Sequence, residues 1–398
     1  MSPDTLSTRT IRFVNIAHAL DHFVLLIYPM AVLAIATETA LSYGTLIGLS
    51  TGAFVAFGLF SLPMGWLADR FGRRILLAVF FAGTGVACLG LTTAASPAAF
   101  AIWLVVLGVF AAIYHPIGSA MLVSHTRRLG HDLGINGVAG NFGAAFAAGI
   151  TAFLTVSFGW RAAFAVPGLV CLACAAAFLI LVPSDGEERT GPRGIGATAV
   201  FSRPRTLLLL FALAIIAGGM TFNMLTIALP KLIEERVTLD LPLWVVGSLA
   251  TTVFVFGAVA QLVMGRLIDR FPLPVIFLML SVLQPLGLGI AAIATDVPML
   301  VGLVLAMTSI YGQVVVNDAM VARYVSAAWR SRAFSVRYFL GFTTSGFAVP
   351  LIALCYDAAG FPLVMAVASA FGVAIVVAAL AFLAVARPGP AGFPAAAE

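Results

Sequence analysis

Apolar runs long enough to cross a hydrocarbon layer recur along this chain, each cut off by a short polar or Gly/Pro break. A helix needs about 20 residues to span ~30 Å of hydrocarbon. Runs of that kind cover residues 11–36, 44–68, 74–94, 98–123, 133–156, 161–182, 205–230, 243–268, 273–294, 298–323, 332–356 and 361–386, so the pattern predicts an all-α polytopic membrane protein with twelve spans. The one long polar break holds Asp185, Glu187, Glu188, Arg189 and Pro192 and falls near the middle of the chain. It divides the expectation into an N-terminal six-helix bundle (1–182), a cytoplasmic linker (183–204) and a C-terminal six-helix bundle (205–398). The first run is too long for a cleavable leader and carries Asp21 and His22, so it is expected to remain as span 1.

Composition strengthens this picture. Of the 398 residues 62% are hydrophobic and 9% are charged, and mean hydropathy is +1.11. Soluble domains carry about 25% charged residues, and a soluble core stops growing near ~250–300 residues. The excess apolar area therefore faces lipid. The net charge of +5 does not point to nucleic acid, because the chain has one lysine and its arginines lie singly or in pairs between apolar runs. Cys88, Cys171, Cys174 and Cys355 all fall inside apolar runs, where a thiol acts as a small hydrophobe, so neither a metal nor a disulfide framework is expected of them. No G-x-x-x-x-G-K-[ST] motif is present, no cofactor is expected, and transport rather than catalysis is the expectation.

Basic residues in short loops resist translocation and so set orientation. With both termini inside, the outer loops hold Arg161, Lys231 and Arg236, and Arg337 lies within a span. The other seventeen of the 21 Lys and Arg are cytoplasmic. An integral protein of the cytoplasmic (inner) membrane, with both ends in the cytoplasm, is expected.

The chain also repeats itself at an offset of 200 residues. Gly65-Trp66-Leu67-Ala68-Asp69-Arg70-Phe71 is matched by Gly265-Arg266-Leu267-Ile268-Asp269-Arg270-Phe271. Pro29 and Pro230, Ala120-Met121 and Ala319-Met320, and Gly140 and Gly341 echo one another at nearly the same offset. The run Gly65-x-Leu67-Ala68-Asp69-Arg70-x-Gly72-Arg73-Arg74, with its degenerate second copy, resembles the loop 2–3 signature of the major facilitator superfamily. That resemblance covers the whole chain and implies two six-helix bundles working by alternating access. It further implies that this cluster latches the cytoplasmic ends of the halves in the outward-open state. Physically, Asp69 suits a helix N-terminus, where the dipole favours an anion. The arginines suit acids or lipid phosphates, and they also fix topology.

Three shorter stretches are similar to the fosmidomycin-resistance-type drug exporters of that superfamily. They are His18-Ala-Leu-Asp21-His22 with Tyr28-Pro29, Tyr114-His115-Pro116, and Gly140-Asn141-Phe142-Gly143. The chain departs from other drug/proton antiporters in span 4, where Leu104-Val105-Val106-Leu107-Gly108 replaces an R-x-x-Q-G pattern, and span 5 lacks a Gly-Pro pair.

Ionisable groups at bilayer depth cost about 2.5–3.5 kcal/mol each on insertion scales and mark functional sites by default. They are His18, Asp21 and His22 in span 1, His115 in span 4, Asp318 in span 10 and Arg337 in span 11. The spacing of His18, Asp21 and His22 suggests one carboxylate orienting two imidazoles. Asn223 in span 7 aligns with His22 through the repeat. Asp21, Asp318 and the histidines are the expected proton sites, with Arg337 as partner to Asp318. The blander reading is that the Asp318–Arg337 pair is structural and that His115 is an interhelical hydrogen bonder. A metal site built from histidines and carboxylates is a further reading, although no spacing motif supports it. Tyr28, Tyr114, Tyr311 and Gln313 with Phe54, Phe142, Phe146 and Phe339 are expected to line an amphipathic cavity. Gly134, Gly137, Gly140, Gly143 and Gly149 are expected to form the rocking interface.

The function expected is proton-coupled export of a small amphipathic or drug-like compound by a monomer. The alternatives are uptake of a small organic anion or metabolite with Arg337 as counter-ion, transport of a divalent metal, and a membrane sensor that transports nothing.

Overall fold

A hydrocarbon solvent leaves no partner for a free backbone N–H, so each apolar run must close its hydrogen bonds within itself as a helix. The computed structural model describes residues 3–39, 41–126, 129–182, 204–268, 270–324 and 327–385, and all regular structure among them is α-helical. The helices are α1 (Pro3–Thr39), α2 (Tyr43–Ser61), α3 (Arg73–Thr92), α4 (Pro97–Leu122), α5 (Leu129–Phe158) and α6 (Trp160–Leu181). The second half continues with α7 (Pro204–Arg236), α8 (Leu243–Leu267), α9 (Leu273–Ile293) and α10 (Asp296–Tyr324), then one long helical stretch, Ala327–Val385. Among the described residues, eleven segments are long and apolar enough to cross a membrane. The last of them bends at Ala359 and Gly360 into two, α11 (327–358) and α12 (361–385), which gives twelve crossings among the described residues. The expected linker lies outside the described residues at 183–203, as does Asp269.

The bend has a local cause. Gly360 sits at φ 66°, ψ −163°, a region nearly closed to residues with a Cβ, and Pro362 follows in the first turn of α12, where its missing N–H costs nothing. Gly360→Ala is expected to lower stability by about 1–3 kcal/mol, measurable as a fall in the thermal midpoint of the detergent-solubilised protein. Prolines also interrupt two spans that the hydropathy pattern shows as continuous. Pro63 removes the N–H that would reach Leu59, and α2 breaks at Leu62–Pro63 before the short helix Met64–Phe71. Pro116 acts in the same way on Ala112, and α4 changes course at Ala112–Ile113, just before His115.

Large side chains such as Ile180 (79% exposed) and Phe158 (72% exposed) face outward, as a lipid solvent allows. Within the first half α1 packs on α5 and α4, and α3 on α6; within the second, α7 packs on the α11–α12 stretch, and α9 on α10. The halves meet along two seams, α5 with α8 and α2 with α11. The α5–α8 seam is tight. A Cβ on Gly247 would meet the Ala148 carbonyl, Gly149 N–H donates to Thr251 Oγ1 at 3.1 Å, and Asn141 Nδ2 donates to Gln261 Oε1.

At the face opposite the N-terminus the α2–α11 seam ends in an aromatic cluster. The ring centroid of Tyr43 lies 4.9 Å from that of Tyr356 and 6.0 Å from that of Phe361. Beside it the Asp357 carboxylate occupies the space a Cβ on Gly44 would need. The five α5 glycines expected at the rocking interface divide. Gly149 lies on the seam between halves, whereas Gly140 packs against His18 and Gly143 against the Ala19 carbonyl, both within the first half. A Cβ on Gly134 or Gly137 would meet nothing within 4 Å. The rocking interface expected along the whole of α5 is thus confined to its middle, since only there do the two backbones approach.

Candidate functional site

Where α1, α4 and α5 converge, their polar side chains meet. His18 and His22 are four residues apart on α1, and their Nε2 atoms lie 3.2 Å apart. The Nδ1 of His18 is 2.7 Å from the Asn136 carbonyl on α5. A carbonyl only accepts, so Nδ1 carries the proton and Nε2 presents a lone pair to His22. Asn136 also donates from Nδ2 to Asn15 Oδ1 at 2.9 Å and to the Tyr114 hydroxyl at 3.0 Å. Tyr114 in turn stacks on His18 at 4.8 Å between centroids. From α4, His115 Nε2 approaches Asp21 Oδ2 to 3.3 Å, and Asp21 is fully buried.

One expectation is corrected here. Asp21 does not orient His18 and His22; it faces His115. At 3.6 residues per turn, Asp21 and His22 lie about 100° apart around α1, so the carboxylate points to α4 while the two imidazoles pair with each other.

Aromatic side chains from both halves cover His115. Phe57 of α2 and Phe342 of α11 lie 5.9 Å and 4.6 Å from its ring, and 5.0 Å from one another. Phe54, the expected lining residue, is buried one turn away in a core that draws on both halves. Phe142 and Phe146 stack on each other at 5.8 Å on the open flank of α5. Phe339 is half-buried on α11.

In the second half, Arg337 Nη1 lies 2.5 Å from Asp318 Oδ1, with the arginine side chain 9% and the aspartate side chain 38% exposed. Arg337 Nη2 also donates to the Val314 carbonyl at 3.2 Å. The remaining expected cavity residues sit elsewhere. Tyr28 donates to the Leu46 carbonyl at 2.8 Å, near the far face. Gln313 donates to Ser281 Oγ at 3.2 Å, inside the α9–α10 contact. Asn223 donates to the Gly219 carbonyl and to Thr344 Oγ1 at 2.8 and 3.4 Å. Tyr311 packs between Phe222 and Phe254. Tyr28, Gln313 and Asn223 make these hydrogen bonds within their own halves, and Tyr311 packs among rings of the second, so none joins the histidine cluster.

The loop motif is partly described. Arg74 donates from Nη2 to the Leu179 carbonyl at 2.6 Å and from Nε to the Val182 carbonyl, capping the end of α6 in its own half. Arg70 lies over Trp66 and Phe71 at 5.9 and 5.5 Å. The side chain of Asp69 lies outside the described residues. Gly72 ends the short helix at φ 84°, which explains the glycine there.

Sequence reasoning missed Asn15, Asn136, Phe57 and Phe342. Asn15 and Asn136 carried a usable signal, as polar residues within apolar runs. The two phenylalanines carried none, being two of 31.

Comparison with known proteins bears on the fold and the family. No curated protein matches the chain. Among solved structures, a bacterial homologue of the human lysosomal transporter Spinster matches in two inward-facing forms. The unoccupied form has a TM-score of 0.73 at 14% identity, covering 97% of this chain and 99% of that one. The occupied form has 0.75 at 15% identity, covering 98% of each. The Major Facilitator Superfamily profile matches residues 13–247, more than half of the sequence, and with the two-bundle fold this shows that the chain belongs to that superfamily.

Proposed function

We propose that this secondary transporter exports a small amphipathic or drug-like compound in exchange for protons, as a monomer of the inner membrane with both termini cytoplasmic. The observation that carries the proton step is the Asp318–Arg337 pair. The guanidinium is buried and committed, while the aspartate side chain beside it is over a third exposed, although its Oδ1 is buried against the guanidinium. Protonating Asp318 removes its charge and frees Arg337; losing the proton restores the pair. Asp21 is the poorer carrier, because it is sealed against His115.

The solute class rests on the wall made by Phe57, Phe342 and His115, which offers flat apolar faces and one imidazole edge at the junction of the halves. The seams close at the face away from the N-terminus, which corresponds to an inward-facing state when the termini are cytoplasmic. The Spinster homologue structures were inward-facing as well. The two halves are proposed to rock about a midplane site.

Flux in proteoliposomes under an imposed pH gradient tests this reading. A lipophilic dye should leave against an inward proton movement read by an internal pH probe. Co-directional movement would replace the exporter with the symporter for an organic anion, in which Arg337 is the counter-ion.

A further inference from the structure

We infer that His18, His22 and His115 form a binding site for one exchangeable divalent transition-metal ion of the zinc class. The inference rests on the geometry of the first half alone and goes beyond the proposed export reaction.

One ring nitrogen from each of the three histidines lies within 4.8 Å of those of the other two. Zinc–imidazole bonds of about 2.0–2.1 Å set ligand nitrogens about 3.3–3.4 Å apart in a tetrahedral site. The 3.2 Å between His18 Nε2 and His22 Nε2 already matches such an edge. The His115 nitrogen, within 4.8 Å of the other two, would close onto the same point by about an ångström or two.

The surroundings fit as well. A metal-ligating histidine almost always donates its other ring N–H to a carbonyl or carboxylate, which fixes the tautomer. His18 does this through Nδ1 to the Asn136 carbonyl at 2.7 Å, leaving Nε2 as the donor to a cation. Asp21 is fully buried, and neither of its oxygens has a hydrogen-bond partner; the nearby cation is His115 when protonated, at 3.3 Å. A carboxylate so placed balances part of the charge of a divalent ion. Three neutral imidazoles leave a fourth position for water, the pattern of an open zinc site rather than a sealed structural one. All three histidines are partly exposed, the His115 side chain to 16%. Mg²⁺ and Ca²⁺ prefer oxygen ligands and are not expected to bind.

The test uses the full-length protein in detergent, with any affinity tag removed and metals stripped by chelator. Co²⁺ should bind at one equivalent per chain with the intense visible bands of a four- or five-coordinate imidazole site, and Zn²⁺ should displace it. His18→Ala, His22→Ala and His115→Ala should each weaken Zn²⁺ binding by at least about tenfold, the size of losses from outer-shell changes alone. His125→Ala, away from the cluster, should leave it unchanged. Each variant is scored only if it remains monodisperse, and His22→Gln provides a second, less disruptive change. Less than a tenth of an equivalent of bound metal in the wild type would overturn the site. Equal binding in the His18/His22/His115 triple variant would overturn it as well. Proton-coupled export can fail in liposomes while these spectra succeed, so the two readings fall separately.

Discussion

Replacing Gly44 with leucine is expected to hold the transporter open at the face away from its N-terminus. The Asp357 carboxylate lies where the new Cβ would go, and Tyr43, Tyr356 and Phe361 are packed beside it. Overpacking of this kind costs about 1–3 kcal/mol, and each 1.4 kcal/mol is tenfold in a two-state ratio. The closed-to-open ratio at this face should therefore fall by roughly five- to 140-fold, and transport should slow. Alanine at the same position should do far less, because the carboxylate can rotate away from a single methyl group. Spin labels at Thr45→Cys and Ala358→Cys, both exposed beside this gate, should report a longer distance in Gly44→Leu. Adding Asp357→Gly should shorten it again. An unchanged distance would mean that the gate closes elsewhere.

The second large effect is expected at Asp318. Asp318→Asn removes the negative charge that lies 2.5 Å from the buried Arg337 guanidinium, which keeps its hydrogen bond to the Val314 carbonyl. Breaking a sealed pair costs about 3–5 kcal/mol; with Asp318 38% exposed, water takes up part of the loss, and about 1–3 kcal/mol is expected. Coupling should suffer more than stability. The variant should bind solute and exchange it down its gradient, yet give no accumulation when a pH gradient is imposed. Gradient-driven accumulation at wild-type rates in Asp318→Asn would remove this residue from the proton path.

The twelve crossings were legible because hydrocarbon demands some twenty apolar residues and permits little else. Breaks at Pro63 and Pro116 were legible in principle, since a proline frees the carbonyl four residues back. The histidine cluster was visible only as a list of costly residues. What the list could not reveal is the rotation of each helix about its axis, which sent Asp21 to His115, Tyr28 to Leu46 and Gln313 to Ser281. Those rotations follow from contacts such as Gly143 against the Ala19 carbonyl, made between segments more than a hundred residues apart. The local pattern carries no trace of them.

The α5–α8 seam carries a consequence for speed. Its two hydrogen bonds, from Asn141 to Gln261 and from Gly149 to Thr251, sit eight residues apart, about 12 Å along the helix. Two fixed points on one line define an axle, and a body turning on an axle keeps its bearings engaged while its ends swing. Bonds so placed are kept through the stroke if the halves pivot on them, and they then add nothing to the barrier. Weakening them would loosen the bearing, and the stroke would lose its direction.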